Sequence, residues 1–368
     1  MSNDKPSTAP QTQPVLRMVS PDDLPQLTGI VSRIHGLTRS EDHLRWKYFD
    51  NPAGHAVSSV ADVDGRVVGH LGAVTARYRI DGEVIRGCQE VDIFVDEDFR
   101  SARTFFRLYR ERLNISEREN VNFSYGFTIE KTSTIGRKAM RLTQVGPIPR
   151  LMKPLDTRDW FRRRIPIGPL AAAAGTATNA MLALSGSKAP PLPDGLQITT
   201  ITRFDDRFDR LWERIRDDYP VMLIKGANYL NWRYVDIPDV EYEILAAEQG
   251  DGGDIAGFCV TGLNPRDSRR GRLVDLVTPR NDSAPLTAGL IAAAVSRLRE
   301  RKVATVAAWA FPHMHTHEVL RQQGFRWQPV EGQDMVCRHT GPSKPEDILP
   351  HISPQEHWCV AQGDSDSY

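Results

Sequence analysis

Cysteine is scarce in this chain and widely scattered: Cys88, Cys259, Cys337 and Cys359 form no C-x-x-C pair. That spacing offers neither a zinc ribbon nor a thioredoxin-like redox site, and isolated thiols fit a reducing cytoplasm. An excess of charge is lacking too. Lys plus Arg equals Asp plus Glu at 47 each, so no global field draws nucleic acid or anionic lipid, and no nucleic-acid partner is expected. The first 14 residues lack the apolar core of a secretory leader. They are polar and rich in Pro, Thr and Gln, and read as a disordered tail. At 40% hydrophobic and 26% charged, the chain has the composition of a globular protein, and its length allows two domains, each with a core.

What is present is a repeat. His43-Leu44-Arg45-Trp46-Lys47-Tyr48-Phe49-Asp50-Asn51-Pro52 returns 186 residues later as Tyr229-Leu230-Asn231-Trp232-Arg233-Tyr234-Val235-Asp236-Ile237-Pro238. A period that long lies far above solenoid repeats and indicates a duplicated domain. In each copy the Trp is expected to pin a short helix onto its sheet, with the Pro ending it.

The elements support duplication. Ser20-Pro21-Asp22-Asp23 and Ser40-Glu41-Asp42 are helix starts. Strands over 57–62, 66–79 and 80–95 join through Asp64-Gly65 and Asp81-Gly82 turns. In the last of these, alternation puts Val91, Ile93 and Val95 on one face and Glu90, Asp92 and Phe94 on the other. A long helix over 102–118, a strand over 122–127, a helix over 132–141 and a strand over 145–152 follow. The second half repeats the order, and a shift of 183 residues sets Val274-Asp275-Leu276 on Val91-Asp92-Ile93.

The division expected is a tail (1–14), a first domain (15–157), an interdomain helix and linker (158–195) and a second domain (196–368). Within the linker, Arg162-Arg163-Arg164 precedes a charge-free, Ala-rich run to Ser187. It is only weakly apolar, so it reads as a connecting helix or as a peripheral membrane contact over 162–187 rather than a span. The location expected is the cytoplasm, with the inner membrane as the surface for such a contact.

On Leu44-Arg45-Trp46-Lys47-Tyr48, Val67-Val68-Gly69-His70, Val91-Asp92-Ile93-Phe94-Val95, Arg100, Ser124-Tyr125-Gly126-Phe127, Tyr229 to Tyr234, Gly324-Phe325 and the closing Trp358 with Gly363-Asp364-Ser365-Asp366, the chain resembles tandem GNAT acyltransferases found with bacterial envelope and polysaccharide genes. The resemblance implies an α/β (α+β) fold of two tandem GNAT-like domains, each a mixed, mostly antiparallel sheet flanked by helices. It implies an acyl-CoA donor, acetyl-CoA by default, and transfer to an amine or hydroxyl of a small molecule or sugar precursor by direct attack in a ternary complex, with no metal. The other reading is a non-catalytic scaffold or sensor in envelope polysaccharide assembly.

In this fold the donor pyrophosphate rests on a helix N-terminus. The corresponding residues here are Ile93, Phe94 and Val95, then Arg100, Ser101, Ala102, Arg103, Thr104 and Phe105. Arg100 matches the family signature, while Arg103 and Phe105 replace its two glycines. The second half, at Ser283-Ala284-Pro285-Leu286-Thr287, lacks the signature, so the donor site is expected in the first copy. Glu90 is the candidate base, Asp92 a second carboxylate with a catalytic or structural part, and Tyr125 a substitute for the family's acid. His313, His315 and His317 read as a polar loop or helix cap rather than a metal site, and Asp364 and Asp366 as a solvated tail or a cation or amino-sugar contact.

Overall fold

The computed structural model describes residues 13–129, 139–148, 150–185, 191–281, 283–328 and 333–366. Most of the expected tail and of the helix expected at 132–141 therefore lies outside the described residues. The first half runs β1 (Val15–Met18), α1 (Leu24–His35), α2 (Glu41–Tyr48), β2 (Ser59–Val63), β3 (Arg66–Ile80), β4 (Glu83–Val95), α3 (Ala102–Arg118), β5 (Phe123–Ile129), β6 (Thr143–Pro147) and β7 (Arg150–Pro154). A helical hairpin, α4 (Arg158–Arg162) and α5 (Gly168–Ser185), connects it to the second half. There follow β8 (Leu196–Ile201), α6 (Asp206–Ile215), β9 (Val221–Leu223), α7 (Ala227–Tyr234), β10 (Tyr242–Gln249), β11 (Ile255–Asn264), β12 (Asp267–Val277), α8 (Ala284–Glu300), β13 (Thr305–Trp309) and α9 (His315–Gln322). The chain closes with β14 (Arg326–Trp327), β15 (Gln333–His339), α10 (Pro345–Ile352) and β16 (Trp358–Cys359).

Local chemistry accounts for the boundaries. Ser40 caps α2 by accepting from the His43 amide at 3.1 Å. Gly36 ends α1 in left-handed backbone at φ 61°. Asp64 and Asp81 take positive φ ahead of their glycines, which twists the β2–β3 and β3–β4 hairpins tightly.

The strands form two mixed, mostly antiparallel sheets. The first orders β1-β2-β3-β4-β5-β15-β6, with β9 on the far end of β3 and β16 on β9; the second orders β14-β7-β13-β12-β11-β10-β8. The sheets therefore exchange strands across the boundary drawn at 157. β7 leaves the first half to pair with β13, and β15 returns from the second half to lie between β5 and β6. The single strand expected over 145–152 becomes two, the first ending at Pro147, which supplies no ladder N–H. One apolar core runs through both sheets, from Tyr78, Phe123 and Tyr125 past Trp358 to Phe204, Phe258 and Leu290.

The twin motifs meet. Trp46 and Trp232 stack on each other with ring centroids 4.7 Å apart. Each indole N–H donates to the other's backbone carbonyl, at 2.6 Å from Trp46 and 3.0 Å from Trp232. The two Trp pack in one cluster with Val74 of β3 and Tyr242 of β10, and beyond the pinning expected of each they join the two halves.

Candidate active site

The parallel pairing of β4 with β5 covers only Gly87–Gln89 against Phe123–Tyr125. Beyond it the strands part, and the gap widens into a cleft of about 610 Å³ between the halves. Its walls include Glu90, Asp92 and Ile93 of β4, Gly126 and Phe127 of β5, His35, Arg39 and Lys47 from the early helices, and Arg266, Arg272 and Asp366 from the second half.

Asp92 is turned by a bulge. The β3–β4 register slips between His70 and Gly72, and Asp92 takes φ 48°, a conformation Asp tolerates better than most residues. This corrects the shared face expected for Glu90 and Asp92. Glu90 bonds toward α3, accepting from Arg112 at 2.7 Å and from Ser124 at 2.9 Å. Asp92 bonds instead to the early helices: Lys47 donates at 2.6 Å, Tyr48 at 2.5 Å, and His35 Nε2 at 2.6 Å. His70 Nδ1 donates to the Asp92 carbonyl at 2.9 Å.

Burial opposes ionisation of Asp92, yet the Lys47 ammonium and the bonds from His35, Lys47 and Tyr48 hold it well below the usual carboxylate range. Burial, reinforced by the Asp92 charge, raises the Tyr48 phenol well above its ordinary value. The result is a fixed anion and a neutral phenol, with the His35 Nε2 held against the carboxylate.

The C-terminal segment completes this wall. Lys47 also donates to Asp366 at 2.8 Å, and Arg233 donates to the carbonyls of Gly363 and Ser365. Asp364 is buried beside Lys225 at 2.8 Å. The solvated-tail reading of Asp364 and Asp366 is thereby overturned. Tyr125 sits beneath the same segment, donating to the Asp364 carbonyl at 3.0 Å and packed edge-on to Tyr78. Its hydroxyl is thus engaged away from the gap between β4 and β5. Ligand atoms of His35, Asp92 and Asp366 lie within 4.8 Å of one another, but the Lys47 ammonium already lies between the two carboxylates as the local cation. His313, His315 and His317 bond separately to Trp358, Thr278 and Ala310.

The turn between β4 and α3 carries the remaining expected donor residues. Ser101 caps α3, accepting from the Thr104 amide at 3.0 Å, and Arg100 donates to the Val95 carbonyl. Arg100, Arg103, Thr104 and Arg107 line a surface hollow of about 260 Å³. Phe105 packs inward and stacks on Tyr109 at 6.1 Å. Ala102 lies exposed in the first turn, while Ile93 is 42% exposed and faces the cleft. Phe94 and Val95 pack toward opposite cores.

The second half keeps the frame and loses the opening. Lys225 and Tyr234 donate to Asp275 at 2.9 and 2.8 Å, echoing Lys47, Tyr48 and Asp92. The cavity there holds only about 40 Å³, and His315 hydrogen-bonds to Tyr219 and Thr278 across it.

The fold is that of tandem GNAT proteins. Among solved structures, a probable N-acyltransferase from Enterococcus faecalis matches with a TM-score of 0.60 at 10% identity, over 89% of this chain and 73% of that one. A tandem GNAT protein from the clavulanic acid biosynthesis pathway matches at 0.59 and 14%, over 90% and 100%. Saccharomyces cerevisiae N-myristoyltransferase, solved with myristoyl-CoA, matches at 0.55 and 12%, over 97% and 88%. No protein-family profile and no curated protein sequence matches the chain.

His35 and the arginines of the second half were missed from the sequence. His35 is marked locally only as the last residue before a Gly cap, and its meeting with Asp92 depends on the bulge. Arg266 and Arg272 reach the cleft only because the halves dock.

Proposed function

We propose that the chain is an acyl-CoA-dependent acyltransferase whose reaction takes place in the first-half cleft. The observation carrying this is the gap between β4 and β5 with a His35–Asp92 pair inside it, followed along the chain by an arginine-lined helix N-terminus. The donor phosphates would meet Arg100, Arg103, Arg107 and the free amides at the start of α3. The acyl thioester would lie along Ile93 to Val95, where β4 has no β5 partner.

An acceptor amine or hydroxyl attacks the thioester carbonyl and the C–S bond breaks. The acceptor proton passes to His35 Nδ1, and the CoA thiolate leaves to be protonated from water. Asp92 orients the imidazole and stabilises its charged form. Glu90, neutralised by Arg112, contributes to positioning, and Tyr125 supports the wall.

Mass-spectrometric detection of acyl products across amine and hydroxyl acceptors tests this reading. His35→Gln is expected to lower turnover about 100-fold or more, with CoA binding retained. An unchanged rate would remove His35 as base. A second reading, a non-catalytic GNAT-like module, is favoured by the donor turn's missing glycines; retained CoA binding without turnover on any acceptor would establish it.

The linker hairpin adds a partner proposal. Trp160, Ile167, Leu170 and Met181 are exposed beside Arg162, Arg163 and Arg164, which suits peripheral contact with an anionic bilayer. No helix among the described residues is long and apolar enough to cross one. Flotation with phosphatidylglycerol vesicles, lost in Trp160→Ser, is expected; absence of flotation makes the hairpin a connector only.

A further inference from the structure

The outward face of α3 offers more than a bound coenzyme requires. Arg103, Phe106, Arg107 and Arg110 follow one another at helical spacings of three and four, so they share one face in a row roughly 10 Å long. The opposite face buries Leu108, Tyr109, Arg112 and Ile115. Arg103 and Arg110 are exposed, and Phe106 stands 41% exposed between them. Among the described residues, none of Arg103, Arg107 and Arg110 is in an ion pair. Arg118, beyond the row, is by contrast turned to Glu111 at 3.3 Å. In a chain without net charge, the row is a local positive field around an apolar ring.

Phe106 and Arg110 lie outside the hollow lined by Arg100, Arg103, Thr104 and Arg107, so a small donor seated there leaves them uncovered. Exposed aromatic and arginine side chains set side by side are the composition of a protein interface, and the sign of the charge selects an acidic partner. The donor turn points the same way. CoA carries a pyrophosphate, and glycines would let the backbone close on it, but Arg103 and Phe105 occupy those positions. A phosphopantetheine arm on a protein serine carries a single phosphodiester, which guanidinium groups meet without such close approach.

We infer that this face of α3 docks an acidic acyl carrier protein whose phosphopantetheine thioester is the acyl donor. Phe106 is the apolar anchor, and Arg103, Arg107 and Arg110 meet the carrier's carboxylates. The inference rests on the acyl-transfer reading and changes the bearer of the acyl group, with CoA, which shares the pantetheine arm, as the simpler donor for the same hollow. In the transfer the thioester C–S bond breaks and a C–N or C–O bond to the acceptor forms. The acceptor's proton passes to the base in the cleft, and the carrier departs with a thiolate that water protonates.

The test is calorimetric titration of the full chain with a holo acyl carrier protein and, separately, with CoA. The carrier is expected to bind, more weakly as salt is raised, and Arg110→Glu to weaken it about tenfold or more with CoA affinity unchanged. Phe106→Ser serves as the second variant should Arg110→Glu fail to fold. No carrier binding, or equal binding in the folded variants, would overturn the docking surface, and CoA binding retained alongside would leave the acyl-CoA reading standing. Carrier binding lost in the variants, with no CoA binding to the wild type, would uphold the surface and overturn CoA as donor. Phosphatidylglycerol vesicles or single-stranded DNA binding in place of the carrier, and released by Arg110→Glu, would assign the row to a different partner and overturn the inference.

Discussion

Asp92 combines a left-handed backbone, three side-chain donors and near-complete burial. Breaking a buried ion pair from one side leaves an uncompensated charge, typically about 3–5 kcal/mol. Lys47→Met is therefore expected to lower stability in urea unfolding by about 3 kcal/mol, and an unshifted midpoint would show that His35 and Tyr48 suffice. His43, buried against Trp46 and donating to the Pro238 carbonyl, has its pKa lowered by burial to about 4. Unfolded, it titrates near its ordinary value of about 6.5. Between those values the unfolded chain binds more protons, so stability falls as pH drops through that window and is fully present above it. His43→Gln should flatten the loss of stability between pH 6.5 and 4.5, while an unaltered slope would assign it to other groups. At this scale the sequence revealed residue types better than directions. Glu90 and Asp92 were legible as carboxylates on the cleft strand, but plain alternation could not foresee a bulge that sends them to opposite faces.

The short helices α2 and α7 owe their position to each other more than to their own propensity. Trp46→Ala removes both a stacked ring and an indole donor, and should cost about 3–5 kcal/mol. Because Trp46 and Trp232 are in contact, the double variant should cost clearly less than the two losses combined. Additive losses in denaturant titration would mean that each ring acts within its own half. Helix starts and hairpins were readable because Ser caps and Asp-Gly turns act within a few residues. Strand partners were not, since nothing local tells Arg150–Pro154 or Gln333–His339 which sheet will take them.

The duplication was visible over most of both halves, but the exchange of β7 and β15 makes the two copies interdependent. Residues 1–157 lack the strand between β5 and β6, and residues 196–368 lack β7, one of the two partners of β13. Expressed separately, the two fragments should give no cooperative thermal transition; co-expressed with the linker cut, they should copurify. A stable fragment 1–157 would contradict the shared core. The asymmetry of clefts, about 610 Å³ against about 40 Å³, is the reason the proposed reaction is assigned to the first half. Its most direct measurement is calorimetric titration of CoA and acetyl-CoA into the full chain and into Arg103→Ala/Arg107→Ala. The account predicts one site per chain, weakened at least tenfold in the folded variant. Absence of binding at millimolar CoA, or binding untouched by the substitutions, would contradict it.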